Sequence, residues 1–283
     1  MTMVDFRILG NILLLSLVAG LGTGLGGLVA VFRKPGRRSF GFLMGITAGV
    51  MISLSFMELI NKAWELKGFW TTTIGFTLGA VVMFMLDFFV PHMRFGEVES
   101  RSDDGETIDC IHQNPHGRGR RRRHSFFRQT TITNRRLLNS GILLALGITL
   151  HNLPEGIAVG AGYLHQPAFG YFVAMAIMLH NIPEGIATAL PLCECGVNRW
   201  DALRVSVLSG LAEPVGALVA ALFLSSFQDL IPAALAFAGG VMVFITLDEL
   251  IPTAREFGHQ HFTAFGIILG TIFVFVLSGV FGI

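Results

Sequence analysis

Long apolar stretches, separated by short polar ones, fill most of this chain of 283 residues. They are continuous rather than alternating, and each has about the 20 residues that a helix needs to cross a bilayer. Because only helices and closed barrels satisfy their backbone polar groups in lipid, the pattern predicts an all-α membrane protein. The eight predicted transmembrane helices form one domain over residues 1–283 and cover 8–32, 39–61, 71–92, 137–162, 169–192, 201–226, 229–250 and 261–282.

Charged side chains are scarce and unevenly distributed along the chain. They make up 14% of the residues, whereas an average soluble domain has about 25%. Half of the Lys and Arg residues fall between residues 93 and 136, where apolar residues are few. A segment of this composition cannot bury a core, so we expect residues 93–136 to form a disordered loop within the transmembrane domain.

The distribution of Lys and Arg predicts the orientation in the membrane. Eight crossings place both termini on one side. Of the 20 Lys and Arg residues, 17 lie in or beside the segments 33–38, 93–136, 193–200 and 251–260, which share the other side. Since cytoplasmic loops of membrane proteins carry an excess of positive charge, we expect these segments in the cytoplasm and both termini outside.

A polar motif interrupts two of the apolar stretches. It reads HNLPEGIAVG at 151–160 and HNIPEGIATA at 180–189. Within each copy the His and the Glu are four residues apart and share one helix face, while the Asn is displaced by about 100°. Glu213 lies near the middle of the sixth predicted helix, at the same depth as both motifs. The sequence therefore predicts a polar cluster near the bilayer centre.

The three glutamates of this cluster need a positive partner. An ionised carboxylate at the centre of a membrane helix costs roughly 2.5–3.5 kcal/mol, and no Lys or Arg lies in the core of a predicted helix. The Asn side chains alone could equally hydrogen-bond helices together. Imidazole, carboxamide and carboxylate groups in one place favour a divalent transition metal such as Zn²⁺, Fe²⁺, Mn²⁺ or Co²⁺. The candidate metal ligands are His151, Asn152, Glu155, His180, Asn181, Glu184 and Glu213.

Four segments of the chain resemble a known family. GITLHNLPEGIAVG at 147–160, LHNIPEGIATALPL at 179–192, SGLAEPVGA at 209–217 and LDELIP at 247–252 resemble the ZIP (Zrt/Irt-like) metal transporters, in particular their ZupT-type branch. The resemblance covers all eight predicted helices. It implies an inverted-repeat 3+2+3 bundle, a homodimer, and uptake of divalent metal into the cytoplasm through a binuclear site between helices four and five. The implied substrate is Zn²⁺, with Fe²⁺, Mn²⁺, Co²⁺ and Cd²⁺ as further candidates.

The same resemblance implies a role for each ligand. The first metal would be held by His151, Glu155, His180 and Glu184. The second would be held by Asn152, Asn181 and Glu213, with Glu155 and Glu184 shared as bridges. Other branches of the family have Gln and Asp where this chain has His180 and Asn181, so the second site of this chain carries one charge less.

Further polar residues are candidates for the pathway on either side of the site. Glu58, near the outer end of the second helix, is a candidate for the site or for its entrance, and Asp87 in the third helix could be an entry ligand or a partner for a neighbouring helix. Acidic residues at the inner end of the seventh helix and a nearby His pair are candidates for the exit. Each of these side chains could instead be an ordinary solvated residue at a helix end. The set is Glu58, Asp87, Asp248, Glu249, His259 and His261.

Two other functions compete with transport. An intramembrane metal-dependent hydrolase needs an open metal position beside a general base, but the zinc-protease pattern H-E-x-x-H is absent from the chain. A metal sensor that does not transport would depend on the loop 93–136. We expect a transporter and not an enzyme, without a cofactor or a nucleic-acid partner, which interacts with metal ions and lipids. A plasma or inner membrane is favoured over an organelle as its location.

Overall fold

The computed structural model describes residues 6–33, 35–89, 135–194, 196–257 and 260–283, and its regular elements are all helical. The predicted loop 93–136 lies outside these residues, except that its last two residues begin a helix. The α-helices are α1 (Phe6–Phe32), α2 (Arg37–Ser53), α3 (Asn61–Phe89), α4 (Arg135–His165), α5 (Pro167–Glu194), α6 (Arg199–Gly210), α7 (Ala212–Leu224), α8 (Ile231–Ile245), α9 (Ile251–Phe257) and α10 (Gln260–Phe281). A 3-10 turn precedes α8, and π-helical segments at Leu54–Ile60 and Thr246–Leu250 join α2 to α3 and α8 to α9.

Six stretches of the described chain are long and apolar enough to cross a membrane. They are Phe6–Phe32, Arg38–Phe88, Pro167–Glu194, Arg199–Leu224, Gln228–Glu256 and Gln260–Phe281. Large apolar side chains such as Leu14, Trp70 and Val280 are exposed on the outer faces, where a soluble protein would carry polar groups. The prediction of an all-helical membrane protein is therefore confirmed.

The second of these stretches is too long for a single crossing. It has 51 residues, and a straight helix of that length would extend about 77 Å, against a hydrocarbon core of about 30 Å. Gly68 interrupts it with φ 73° and ψ −170°, a conformation that is open essentially to glycine alone. The stretch can therefore form two crossings, one on either side of Gly68.

The helices pack as two groups. The first group contains α1, α4, α5, α6 and α7, where α1 packs along α5 and α4 packs along α7. The second group contains α2, α3, α8, α9 and α10, where α3 packs along α8 and α2 along α10. Between the groups, α4 contacts α8 and α2 contacts α5.

Glycines allow the helices within each group to touch through their backbones. A Cβ atom at Gly185 would overlap the carbonyl oxygen of Thr23, and one at Gly49 would overlap that of Ile267. Small residues permit this close approach in membranes, where helix association depends on van der Waals packing rather than on the hydrophobic effect. Among the described glycines, every overlap of this kind joins helices of the same group.

Candidate metal centre

The two polar motifs meet inside the first helix group. The motif of α4 faces that of α5, and α7 brings a third glutamate beside them. All seven side chains are buried, with at most 2% of their surface exposed. They are His151, Asn152, Glu155, His180, Asn181, Glu184 and Glu213.

Each histidine lies beside the glutamate of the other motif. The Nε2 atom of His151 is 3.2 Å from Oε2 of Glu184, and the Nε2 atom of His180 is 3.0 Å from Oε1 of Glu155. Ligand atoms of His151, Glu155 and Glu184 all lie within 4.8 Å of one another. The ligand atoms of a tetrahedral zinc site are about 3.4 Å apart, so small side-chain movements would close this trio around an ion. Within the part of the chain that the structure describes, no other three His, Cys, Asp or Glu side chains come so close together.

The tautomer of His180 leaves its second ring nitrogen available as a ligand. Its Nδ1 atom is 3.2 Å from the carbonyl oxygen of Ala176. A carbonyl can only accept a hydrogen bond, so Nδ1 carries the proton of the neutral ring and Nε2 carries a lone pair. This lone pair faces a carboxylate oxygen of Glu155. Two electron-pair donors at this separation need a cation between them, either a proton or a metal.

Many nitrogen and oxygen atoms of the cluster that could bind a metal have no hydrogen-bond partner within the described structure. A buried polar atom that is left unpaired costs about 1–3 kcal/mol, and folded proteins have few of them. Their concentration in one place is the arrangement expected of a site whose partner is a bound cation. The atoms without a hydrogen bond are Nε2 of His151, Oδ1 of Asn152 and Asn181, Oε2 of Glu155 and Glu213, and both carboxylate oxygens of Glu184. Among them, Nε2 of His151 and Oε2 of Glu184 face only each other, at 3.2 Å.

Both asparagine amides are anchored by their nitrogen atoms. The Nδ2 atom of Asn152 donates to the carbonyl oxygen of Ser209 at 3.1 Å, and that of Asn181 donates to the carbonyl oxygen of Ala19 at 3.0 Å. Asn181 also donates to Oε1 of Glu213. Because the nitrogens are used in this way, the two amide oxygens are left as potential ligands.

Glu213 is positioned by a break in the sixth predicted span. The span is two helices, α6 and α7, which meet at Leu211 with φ −70° and ψ −8°. Glu213 and Pro214 lie in the first turn of α7, where proline is tolerated because its missing N–H would have no helical partner. The partial positive charge of a helix N-terminus also stabilises the carboxylate. A Cβ atom at Gly156 would overlap the carbonyl oxygen of Glu213, so α7 lies directly against α4.

Three of the candidate pathway residues are linked to this cluster by electrostatic interactions. Glu249 belongs to the π-helical segment Thr246–Leu250 and interacts electrostatically with His151 and Glu184 in the cluster, and with Asp87 and Asp248. Both Asp248 and Glu249 are half-buried. Glu249 therefore links the cluster electrostatically to Asp87, near the end of α3.

The structure does not bring Glu58 or His261 to the cluster. Glu58 is buried in the π-helical segment Leu54–Ile60, and its carboxylate interacts with Ser278 of α10 and with Lys62. His261 is exposed in the first turn of α10. His259 lies outside the described residues.

Thr23 is a polar residue of the site that the sequence pattern did not single out. Its Oγ1 atom is buried without a hydrogen-bond partner, and its carbonyl oxygen touches Gly185, next to Glu184. A single Thr in an apolar helix is common and does not by itself indicate a functional site. A signal was present, however, because AGLGTGLGG at 19–27 aligns with SGLAEPVGA at 209–217 and places Thr23 opposite Glu213.

Comparison with known proteins points to one family. A family model described as ZIP zinc transporter matches residues 92–278. The zinc transporter ZupT of Akkermansia muciniphila is 38% identical over 277 residues, which cover 94% of this chain and 96% of that protein. ZupT of Oceanobacillus iheyensis is 37% identical, with 91% and 92% covered. The zinc transporter ZTP29 of Arabidopsis thaliana is 37% identical, with 87% and 85% covered.

Proposed function

Because the chain belongs to the ZIP family of zinc transporters, we propose that it moves zinc into the cytoplasm through a two-metal centre between α4 and α5. It is a multi-pass integral membrane protein and a transporter, not an enzyme. The observation that carries the proposal is the group of buried, unpaired donor atoms contributed by both motifs and by α7. Its test is zinc entry into liposomes that contain the purified protein and a trapped zinc-sensitive dye, with protein-free liposomes as the reference.

In the proposed centre, the first zinc ion binds between the crossed pairs His151–Glu184 and His180–Glu155. Imidazole nitrogens and carboxylates are typical zinc ligands. Within each pair, the histidine Nε2 atom lies 3.0–3.2 Å from a carboxylate oxygen of the glutamate. Without metal, each pair needs a proton. Zinc that enters replaces those protons, so the substrate itself compensates the buried carboxylates.

The second ion of the proposal binds on the other side of the same carboxylates. Its ligands are the amide oxygens of Asn152 and Asn181 together with Glu213, while Glu155 and Glu184 bridge the two ions. The anchored amide nitrogens and the unpaired Oδ1 atoms support this assignment. Carboxamide and carboxylate oxygens also suit Mn²⁺, and imidazole also suits iron; we propose Fe²⁺, Mn²⁺, Co²⁺ and Cd²⁺ as further substrates.

The number of bound ions tests the two-metal assignment. We expect about two zinc ions per purified wild-type chain and about one in Glu213→Gln, because the amide removes the only charge that belongs to the second site alone. Elemental analysis after gel filtration measures this ratio. The control is Asp229→Asn, which removes the charge of an exposed acidic residue and should leave the ratio unchanged. Equal ratios in wild type and Glu213→Gln would contradict the second site.

For the exit, we propose that zinc leaves the centre past Glu249 toward Asp87 and Asp248. The electrostatic interaction of Glu249 with both the cluster and Asp87 supports this direction. The end of α3 precedes the segment 93–136, which is predicted to be cytoplasmic from its Lys and Arg residues.

We propose eight crossings, with both termini outside, arranged as inverted repeats of three helices around α4 and α5. The break at Gly68 supports the division of the longest apolar stretch into two. The bacterial relatives favour a plasma membrane as the location. A homodimer surrounded by lipid completes the proposed assembly.

Labelling of single cysteines tests this orientation. In a background with the native cysteines replaced by serine, Ser226→Cys and Ile283→Cys should react on intact cells with a maleimide that cannot cross the membrane. Gln260→Cys, at the opposite end of the bundle, should react only after lysis. The expectation rests on the excess of positive charge in cytoplasmic loops. The reverse labelling pattern would place the termini in the cytoplasm.

Transport needs the centre to open to each side in turn, and we propose that one helix group slides against the other. The described glycines where an added Cβ atom would overlap another helix backbone all join helices of the same group. This close packing within each group supports two internally rigid bodies. Contacts between the groups include side-chain interactions such as the hydrogen bond from Thr47 Oγ1 to the carbonyl oxygen of His180, at 3.3 Å. Such contacts are exchanged more easily than interlocked backbones.

A further inference from the structure

The helix contacts of the first part of the chain recur in the last part. Gly49 of α2 meets the carbonyl oxygen of Ile267 in α10, and Gly240 of α8 meets that of Phe76 in α3. Adding 191 to the numbers 49 and 76 gives 240 and 267, so the second contact repeats the first with the roles exchanged. The contacts Gly270–Ile46 and Gly79–Phe237 are related by the same shift.

The first helix group shows an equivalent relation. Thr23 of α1 meets Gly185 of the second motif, and Glu213 of α7 meets Gly156 of the first motif. The numbers 23 and 213 differ by 190. The two asparagine anchors follow the same rule, because Asn181 donates to the carbonyl oxygen of Ala19 and Asn152 to that of Ser209. One internal repeat therefore relates both helix groups.

The two π-helical segments are related by the repeat. The first segment contains the sequence SFMELI at 55–60. The second segment, together with the residue that follows it, reads TLDELI at 246–251. The common pattern is a hydroxyl residue, two variable residues, then Glu, Leu and Ile. Ser55 and Thr246 are both buried, the residues that follow them are exposed, and the leucines are buried again. The repeat thus pairs Glu58 with Glu249.

These two glutamates lie on opposite sides of the metal centre. Glu249 interacts with His151 in the centre and with Asp87, near the end of α3. Glu58 interacts with Ser278, near the other end of the bundle, and with Lys62. Lys62 is also close to His165, where α4 ends and α5 is about to begin. An inverted repeat requires this placement, because it exchanges the two sides of the membrane.

Two features of Glu58 indicate a role beyond packing. A carboxylate within a membrane helix is costly and is retained mainly where it contributes to a substrate path. π-helical segments inside α-helices also occur frequently at functional sites. In the same segment, Ser55 Oγ is buried without a hydrogen-bond partner, so a second oxygen atom is available to a ligand.

We propose that Glu58 is the outer counterpart of Glu249, a carboxylate that takes divalent metal from the outside and passes it to the centre, with Ser55 as a second oxygen. The proposal rests on the transport function proposed above. In the present structure the Glu58 carboxylate interacts with Ser278 of α10, whose hydroxyl donates to the carbonyl oxygen of Ile283 at 2.6 Å. Zinc that arrives from outside would replace this hydroxyl as the partner of the carboxylate, just as zinc that leaves would meet Glu249.

Membrane vesicles of opposite orientation test the pairing. Zinc flux is measured over a range of zinc concentrations in right-side-out and inside-out vesicles from the same cells. Glu58→Gln should raise the half-saturating zinc concentration about tenfold in right-side-out vesicles and change it less than about twofold in inside-out vesicles. Glu249→Gln should produce the opposite pattern. A purely structural role for Glu58 would alter flux in both orientations alike.

Glu65→Gln is the matched control, because Glu65 is an exposed outer carboxylate whose pKa is lowered by its hydrogen bond to Lys62. Its half-saturating concentrations should equal those of the wild type. If Glu58→Gln does not reach the membrane, Glu58→Asp keeps the charge but retracts it, and the same one-sided shift is expected. A Glu58 variant without a one-sided shift would overturn this inference alone, whereas wild-type vesicles without zinc flux would overturn the transport function itself.

Discussion

Replacing Glu184 by alanine is expected to reduce zinc entry into liposomes about a hundredfold or more, and His180→Ala is expected to do the same. Substitutions of residues that only support metal ligands already cost about 10–100-fold, so the loss of a ligand should cost at least as much. Each variant removes one member of a crossed pair and leaves its partner, His151 or Glu155, buried without compensation.

Thr188→Val is the matched control for this measurement. Thr188 is buried on α5, one turn after Glu184, and its hydroxyl donates only to the carbonyl oxygen of Glu184 within the same helix. Valine keeps the branched side chain and loses only this local hydroxyl bond, while the helix N–H of residue 188 still satisfies the carbonyl of Glu184, so zinc entry should stay within about twofold of the wild type. Parallel elemental analysis should find less bound zinc in the two ligand variants. Zinc entry at the wild-type rate in Glu184→Ala would contradict a pathway through the centre.

Gly240→Ala is expected to lower the melting temperature of the detergent-solubilised protein by about 5–10 °C, because overpacking costs about 1–3 kcal/mol in a tightly packed site. The added methyl group would overlap the carbonyl oxygen of Phe76 and crowd the backbone of Ala80. A backbone atom cannot rotate away as a side chain can, so α3 and α8 would have to separate. Thermal denaturation followed by gel filtration measures the shift.

The internal repeat supplies a second variant and the chain supplies a control. Gly49→Ala should cause a similar loss, because Gly49 meets Ile267 as Gly240 meets Phe76. Gly279 has no neighbouring atom within 4 Å, and alanine favours helix more than glycine does. Gly279→Ala should therefore leave the melting temperature unchanged or slightly higher. Equal melting temperatures for all three variants and the wild type would show that these crossings are looser than the structure describes.

Local physical rules made the helices and the chemical character of the site predictable. Apolar length alone indicates helices in lipid, and both motifs place His and Glu on one helix face through the 3.6-residue period. The absence of Lys and Arg from the core of the spans already implied a cation for the glutamates. The same rules did not place the break at Leu211, because a Pro in the first turn of a helix and a Pro inside a helix look alike in sequence.

The sequence by itself determined the class of protein and predicted the depth of the motifs and the kinds of ligand, because each depends on residues close together in the chain. Only the tertiary structure decided that His151 lies beside Glu184 and His180 beside Glu155. The tertiary structure also decided that Glu249 interacts with the centre while Glu58 interacts with Ser278. These pairings depend on helix crossings, and the crossings are set by glycines that meet backbone atoms far away in the chain. Helical periodicity fixes the direction of a side chain from its own helix, but it contains no information about which helix will lie opposite.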